Sequence, residues 1–258
     1  MGKQEAALTL IGGPTVLIEL NGMRLLTDPT FDPPQSYRSG SVTLSKLSPP
    51  AIAADAVGQI DAVLLSHDQH FDNLDYGGRS LLGKVAAILT TQSGAKRLGG
   101  QARGLAAWET TRLESQGSAG IFITATAARH GPPGIEPLLG EVTGFALGLE
   151  EPGDAIYITG DTVWYEGVSE VARRFSPRLV LIFAGAARPR GSFHVTMDSN
   201  DAIETAHAFA QARIAAAHTE GWGHFTESQD NLERSFATLG LSGRLQRLAA
   251  GRRVSFDL

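Results

Sequence analysis

Apolar and polar positions in the first 26 residues fall into short extended runs: ALTLI (7–11), a Gly-Gly-Pro turn, TVLIEL (15–20) and MRLL (23–26). Asn21-Gly22 joins the last two, a dipeptide that supplies the positive φ values of a tight hairpin. The chain therefore opens as an antiparallel meander. Asp28-Pro29, Asp32-Pro33-Pro34 and Pro49-Pro50 then mark an irregular stretch, with a short helix expected over 51–57. AVLLS (62–66) is a continuous apolar run and reads as a strand buried on both faces. Further elements follow at 85–89, at a helix from about Ser93, and at 104–113, 120–128, 142–149 and 155–159. Beyond these, helical periods at 167–175, 197–212 and 226–239 alternate with LVLIF (179–183) and IAAA (214–217). Two mixed sheets covered by helices on their outer faces account for this order, an α/β architecture. With no internal repeat and no linker composition, residues 1–258 read as one domain.

Composition narrows the chemistry. At 42% hydrophobic and 19% charged over 258 residues the chain is too apolar for disorder and long enough to close a sizeable core. A net charge of −5 argues against nucleic acid or an anionic membrane as partner, and the 18 arginines and 4 lysines are scattered. Cysteine is absent, which removes disulfides, thiol nucleophiles and thiolate metal sites together, so any metal must be held by His and carboxylate. The first ten residues lack a signal-peptide core, and Ala6 breaks the myristoylation pattern. The longest apolar run, 179–187, is far short of the roughly 20 residues a spanning helix needs. A cytoplasmic protein with a small-molecule substrate is the expectation; a homo-oligomer is left open.

Gly78 to Lys84, GRSLLGK, falls one position short of a P-loop: Val85 stands where a hydroxyl would meet Mg²⁺. Neither G-x-S-x-G nor a G-x-G-x-x-G after the first strand occurs. The seven histidines are more informative, since all but His207 lie at strand ends or in loops. Ser66-His67-Asp68-Gln69-His70-Phe71-Asp72-Asn73-Leu74-Asp75 directly follows the apolar run AVLL and offers imidazoles and carboxylates at one strand end, the donors that Zn²⁺, Mn²⁺ or Fe²⁺ prefer. A polar loop rich in turn formers would look the same taken alone. ARHG then places His130 after a strand, ITGDT places Asp161 after another with Gly160 easing the turn, and AAAHTEGWGHF places His218 after a third. Four such placements in one chain favour a metal site over isolated polar groups.

With these motifs in family order, the sequence resembles the metallo-β-lactamase-fold hydrolases, and within them the branch similar to the ascorbate-6-phosphate lactonases. LLTDPTFDP, VLLSHDQHFDNLD, ARHG, ITGDT, HVTMDSNDA and the His218 loop carry the resemblance over nearly the whole chain. It implies a four-layer αββα sandwich with a metal site at one edge of the two sheets. It also implies one ion on His67, His70 and His130 and a second on Asp72 and His218, with Asp161 bridging and Asp72 orienting a water. Zn²⁺ is the first choice, with Mn²⁺ or Fe²⁺ as alternatives.

Two departures matter. The family block H-x-H-x-D-H carries one extra residue here: starting from the strand end makes His67 the first ligand and Gln69 an insertion, while counting back from Asp72 puts Asp68 there instead. His67 is preferred because a strand end fixes direction better than loop spacing. Asn73 stands where the family has a histidine of the second site, and an amide oxygen is the poorer donor. His224 or His194 could replace it. Asp28 in LLTDP is assigned to support from behind the ligands. Trp164 and Trp222 are expected at the mouth, with Arg188 and Arg190 available for an anionic substrate group. The expected reaction is hydrolysis of an ester, lactone, phosphoester or amide by metal-activated water. Its rival is a mononuclear Fe(II) oxygenase on the same fold, which a weakened second site would favour.

Overall fold

The computed structural model describes residues 4–114 and 119–258. Residues 1–3, on which the reading of the chain's first segment partly rests, lie outside that description. In chain order the strands are β1 (Glu5–Gly12), β2 (Thr15–Leu20), β3 (Met23–Thr27), β4 (Gln35–Ser39), β5 (Val42–Lys46), β6 (Ala62–Leu64), β7 (Ala87–Thr91), β8 (Ala102–Leu105), β9 (Thr110–Leu113), β10 (Ile121–Ala127), β11 (Thr143–Gly148), β12 (Ile156–Ile158), β13 (Leu179–Phe183), β14 (Arg213–Ala217), β15 (Leu245–Gln246) and β16 (Arg253–Asp257). The helices are α1 (Tyr76–Leu82), α2 (Gln92–Leu98), α3 (Glu136–Leu139), α4 (Glu166–Arg174), α5 (Ser199–Ala208) and α6 (Gln229–Thr238).

One seven-stranded sheet runs β16-β1-β2-β3-β6-β7-β8 and the other β15-β14-β13-β12-β11-β10-β9. Each is antiparallel in one half and parallel in the other. The period of two along a strand explains how the layers stack. Leu179, Leu181 and Phe183 of β13 face the opposing sheet in a core with Leu8, Ile18, Leu25, Phe145 and Ile156. Val180 and Ile182 turn outward to meet Val168 and Val171 of α4, Ala202 and Ala206 of α5, and Leu232 and Phe236 of α6. Being buried on both faces is why LVLIF reads as an unbroken apolar run. On the other outer face Leu17, Leu26, Val63 and Ile88 pack with Leu81 and Leu82 of α1. The result is the expected αββα sandwich.

Several local expectations give way to packing. Residues 51–57 form turns rather than a helix, with Ala56 and Val57 N–H groups both donating to Ala53. The stretch expected to be irregular contains the β4–β5 hairpin, whose strands are largely polar and bury only Tyr37 and Leu44 among the large apolar groups. Residues 104–113 split into the end of β8 and the whole of β9, and β16, with Val254 and Phe256 alternating with polar residues, adds a strand outside the expected elements. The P-loop-like segment is mostly helix α1, capped by Asp75, whose carboxylate accepts from Gly78 N at 2.8 Å. Gly78 is required there, since a Cβ would come within 1.9 Å of the Pro29 carbonyl.

Gly160 ends β12 at φ +60°, and a Cβ would lie 2.5 Å from the Thr143 carbonyl. Gly160→Ala combines left-handed strain with that clash and should cost roughly 1–3 kcal/mol or more. Urea unfolding measures it; an unchanged midpoint would show that the turn does not need glycine.

Candidate metal centre

The parallel halves of the two sheets place the chain exits of β6, β12 and β14 at one edge, and β10 delivers His130 to the same edge. After β6 the chain is pinned by Ser66 N–H donating to Asp28 Oδ1 at 2.6 Å, and His67 follows, fully buried. The turn beyond it is closed by Asn73 and Leu74 N–H groups donating to the His70 carbonyl. Gln69, the inserted residue, lies against Gly140, where a Cβ would fall 1.8 Å from its amide nitrogen. With Gln69 turned that way, His67 and His70 both point inward. Asp68 turns away: Arg97 Nε and Nη2 grip its carboxylate at 2.9 and 2.5 Å. The structure thus brings His67 to His70 and turns Asp68 toward Arg97, away from them.

His67 Nε2 lies 2.8 Å from His70 Nδ1, and His130 Nε2 lies 3.3 Å from that same nitrogen. The Val195 carbonyl can only accept, so its 2.7 Å contact with His130 Nδ1 puts the proton there and leaves Nε2 with a lone pair aimed at the group. Ser66 Oγ meets His67 Nδ1 at 2.9 Å on the far side of that ring. Burial, reinforced by the neighbouring imidazoles, pushes His67 well below the usual histidine range and His70 to about 4. The nitrogens of three imidazoles thus converge, a donor set that one divalent cation satisfies better than hydrogen bonds among the rings could.

The second group is Asp72, Asp161 and His218, whose ligand atoms lie within 4.8 Å of one another. His218 Nε2 stands 3.6 Å from both Asp72 Oδ2 and Asp161 Oδ1. Asp161 Oδ2 is 3.6 Å from His130 Nε2, so this carboxylate faces one group with each oxygen. Burial alone would raise both carboxyl groups, but the imidazoles around them, His224 foremost for Asp72 and His218 for Asp161, hold them well below the usual range. Asp161 Oδ2 and both nitrogens of His218 are buried without a hydrogen-bond partner among the described residues. His218 itself sits at φ +57°, anchored by its N–H donating to the Gly13 carbonyl. Orphaned donor atoms on a strained, buried frame fit a second cation.

The remaining sequence candidates divide. Asp28 is buried behind the centre, and burial together with the Asp161 charge pushes its carboxyl up to about 8. Asn73 points inward, its amide nitrogen donating to Asp161 Oδ1 at 3.2 Å and Asp28 Oδ2 at 3.4 Å. His224 joins through Asp72 Oδ2 at 2.9 Å. His194 does not join: it pairs with Asp198 and Asp201 at the start of α5. Trp164 packs into the apolar layer beneath α4–α6 rather than at the mouth, and Trp222 lies tilted against Tyr37 at 5.6 Å, beside His224. A cavity of about 20 Å³, room for a single water, opens on His70, Asp72 and His130 between Val42 and Leu44 of the hairpin, Leu139 and Arg190. Of the two arginines only Arg190 lines it; Arg188 is exposed. The hairpin wall and the Val195 carbonyl had no sequence signal, because one is a polar β-ribbon and the other a backbone atom.

The chain has the metallo-β-lactamase fold, and a family model described as the beta-lactamase superfamily domain matches residues 23–219. The chain belongs to that superfamily. A curated relative, the UPF0173 protein YddR of Bacillus subtilis (strain 168), is 24% identical over 247 residues, covering 92% of this chain and 95% of its own. Among solved structures, the isothiocyanate hydrolase from Delia radicum gut bacteria superposes with a TM-score of 0.82 at 23% identity, over 98% of this chain and 100% of that one. The diiron β-hydroxylase CmlA from Streptomyces venezuelae is more distant, with a TM-score of 0.64 at 15% identity over 100% of this chain and 55% of CmlA.

Asn73→His should restore an imidazole to the second group and tighten its ion by ~10-fold, the scale that changes around metal ligands produce. Competition titration of the metal-free protein measures this. Equal affinities for two ions in the wild type, unmoved by the substitution, would show that Asn73 does not weaken that group.

Proposed function

We propose that this chain is a metal-dependent hydrolase of a small-molecule substrate, holding one ion on His67, His70 and His130 and a second on Asp72, Asp161 and His218. The observation that carries the reading is Asp161, which turns one oxygen to each group and so ties them into a single centre. Divalent ions bound there would lower the pKa of a water toward neutrality and polarise the bond it attacks. Zn²⁺ suits the imidazole-rich set, with Mn²⁺ or Fe²⁺ as alternatives.

The chain's own groups supply the rest. Asp72 lines the cavity beside His70 and His130, so its ionised carboxylate is placed to orient a water and accept its proton. Val42, Leu44 and Leu139 exclude further solvent, which strengthens each charge interaction inside. Arg190, at the rim and bonded to Ser41 Oγ at 3.1 Å, is a cation available to an anionic or polarised end of the substrate. Esters, lactones, phosphoesters and amides are the bond classes to assay, and the likeness to an isothiocyanate hydrolase adds isothiocyanates to that panel. The likeness to a diiron hydroxylase supports the oxygenase alternative, but a mononuclear version leaves the buried carboxylate group without its ion.

Metal analysis of protein purified without added metal, followed by the substrate panel in air and under nitrogen, separates the readings. Two equivalents of zinc or manganese with oxygen-independent cleavage is expected; one equivalent of iron with O₂ uptake would overturn the hydrolase. Asp161→Ala should lose most bound metal and all cleavage while keeping its far-ultraviolet circular dichroism. Full metal content in that variant would refute the shared carboxylate.

A further inference from the structure

The chain lacks the family's histidine at position 73 yet brings another histidine, from the opposite rim, onto the neighbouring carboxylate. His224 lies in the loop between β14 and α6, six residues beyond His218. Its main chain is tied down by Arg188 N–H donating to the His224 carbonyl at 2.9 Å. The ring stands edge-on to Phe225 at 4.7 Å and tilted against Trp222 at 6.1 Å, so packing fixes its orientation. Its Nε2 reaches Asp72 Oδ2 at 2.9 Å, with both side chains only 8% exposed. The group Asp72, Asp161 and His218 closes without it.

We infer that His224 is a positioning residue for Asp72: its Nε2–H donates to Oδ2 and fixes the carboxylate that the second ion and the reacting water both need. This rests on the metal-dependent reading above and extends it to a residue outside the family's ligand motif. The physical logic is compensation. A histidine at 73 would have added an imidazole to the second group; Asn73 instead donates its amide to Asp161 and Asp28, and His218 is the imidazole of the Asp72–Asp161–His218 group among the described residues. A site with one imidazole and two carboxylates depends more heavily on how those carboxylates are held. Asp72 receives no hydrogen bond from its own loop among the described contacts, so its orientation comes from His224. Partners behind a ligand are worth 10–100-fold in metal affinity when removed.

The test is Zn²⁺ titration of chelator-stripped, full-length protein against a competing indicator, resolving the first and second ion, with His224→Ala, His224→Gln and His224→Leu. His224→Ala should weaken the second ion by roughly 10–100-fold and leave the first unchanged. His224→Gln, whose amide can donate to Asp72 but is a poor zinc ligand, should stay near the wild type. His224→Leu fills the space without a donor and should behave like His224→Ala, which covers the case in which the alanine variant does not fold. Unchanged second-ion affinity in the alanine and leucine variants overturns the inference. So does a glutamine variant as impaired as alanine, since His224 would then act as a ligand itself. A wild-type protein that binds one ion or none defeats the two-ion reading beneath it, an outcome distinct from either.

Discussion

Three buried carboxylates, Asp28, Asp72 and Asp161, lie among the buried imidazoles of His67, His130 and His218, and keeping that charge compensated is the constraint on which the site depends. A desolvated carboxylate is expensive unless paired or bound to a cation. Here the compensation is graded by position. Asp72 and Asp161 face imidazoles and stay ionised, while Asp28, one step further back, is driven toward its neutral form by burial and then by the Asp161 charge. The gradient points at the gap between the two ligand groups, where positive charge is wanted most.

Holding such a cluster requires a frame that does not relax, and the frame is built from buried polar ties rather than from the apolar core alone. Asp75 is the clearest: its carboxylate accepts from Phe31 N, Asp32 N and Gly78 N and pairs with Lys46 Nζ at 2.9 Å, with almost no exposure of either side chain. One residue of the His67–Asp75 block thereby fixes the start of α1, the approach to β4 and the end of β5. Asp32 repeats the device, accepting from Tyr37 Oη, Tyr76 N and Gly77 N. The hairpin wall and the ligand loop are thus cross-braced by groups too costly to leave unpaired. Removing one partner would expose the full desolvation cost of the other, so these ties resist rearrangement more than contacts of equal area between apolar groups.

Much of this was legible in the sequence, because the periodicities that make the core are strong and the ligands sit where those patterns stop. LVLIF and IAAA mark strands buried on both faces, and His67, Asp161 and His218 lie within a few residues of strand ends. What was not legible is long-range. The β4–β5 hairpin is polar because one side meets solvent, and its aromatic anchors, Tyr37 on Phe71 at 4.7 Å and on Trp222, join segments far apart in sequence. Asp68 and His194 carry the right chemistry but are claimed by Arg97 and by the start of α5, partners that spacing cannot reveal. Trp164 follows Asp161 closely, yet the chain turns it into the helical layer. Side-chain type marks the candidates; only packing decides which way each one faces.

Asn73 shows how a departure from a family's ligand set becomes structure. An imidazole at this position would add a nitrogen donor but no N–H pair to bridge the carboxyl groups. The amide instead places a donor between the Asp28 and Asp161 carboxyl groups, at 3.4 and 3.2 Å. It therefore bridges the two acids and holds Asp161, whose oxygens face both groups. Such an exchange is stable only if something else secures Asp72, the remaining carboxylate of the second group. His224 meets that need from a different loop, with its ring locked by Phe225 and its backbone by Arg188. The two residues are far apart in sequence and act on adjacent carboxylates, so each makes physical sense only in the presence of the other.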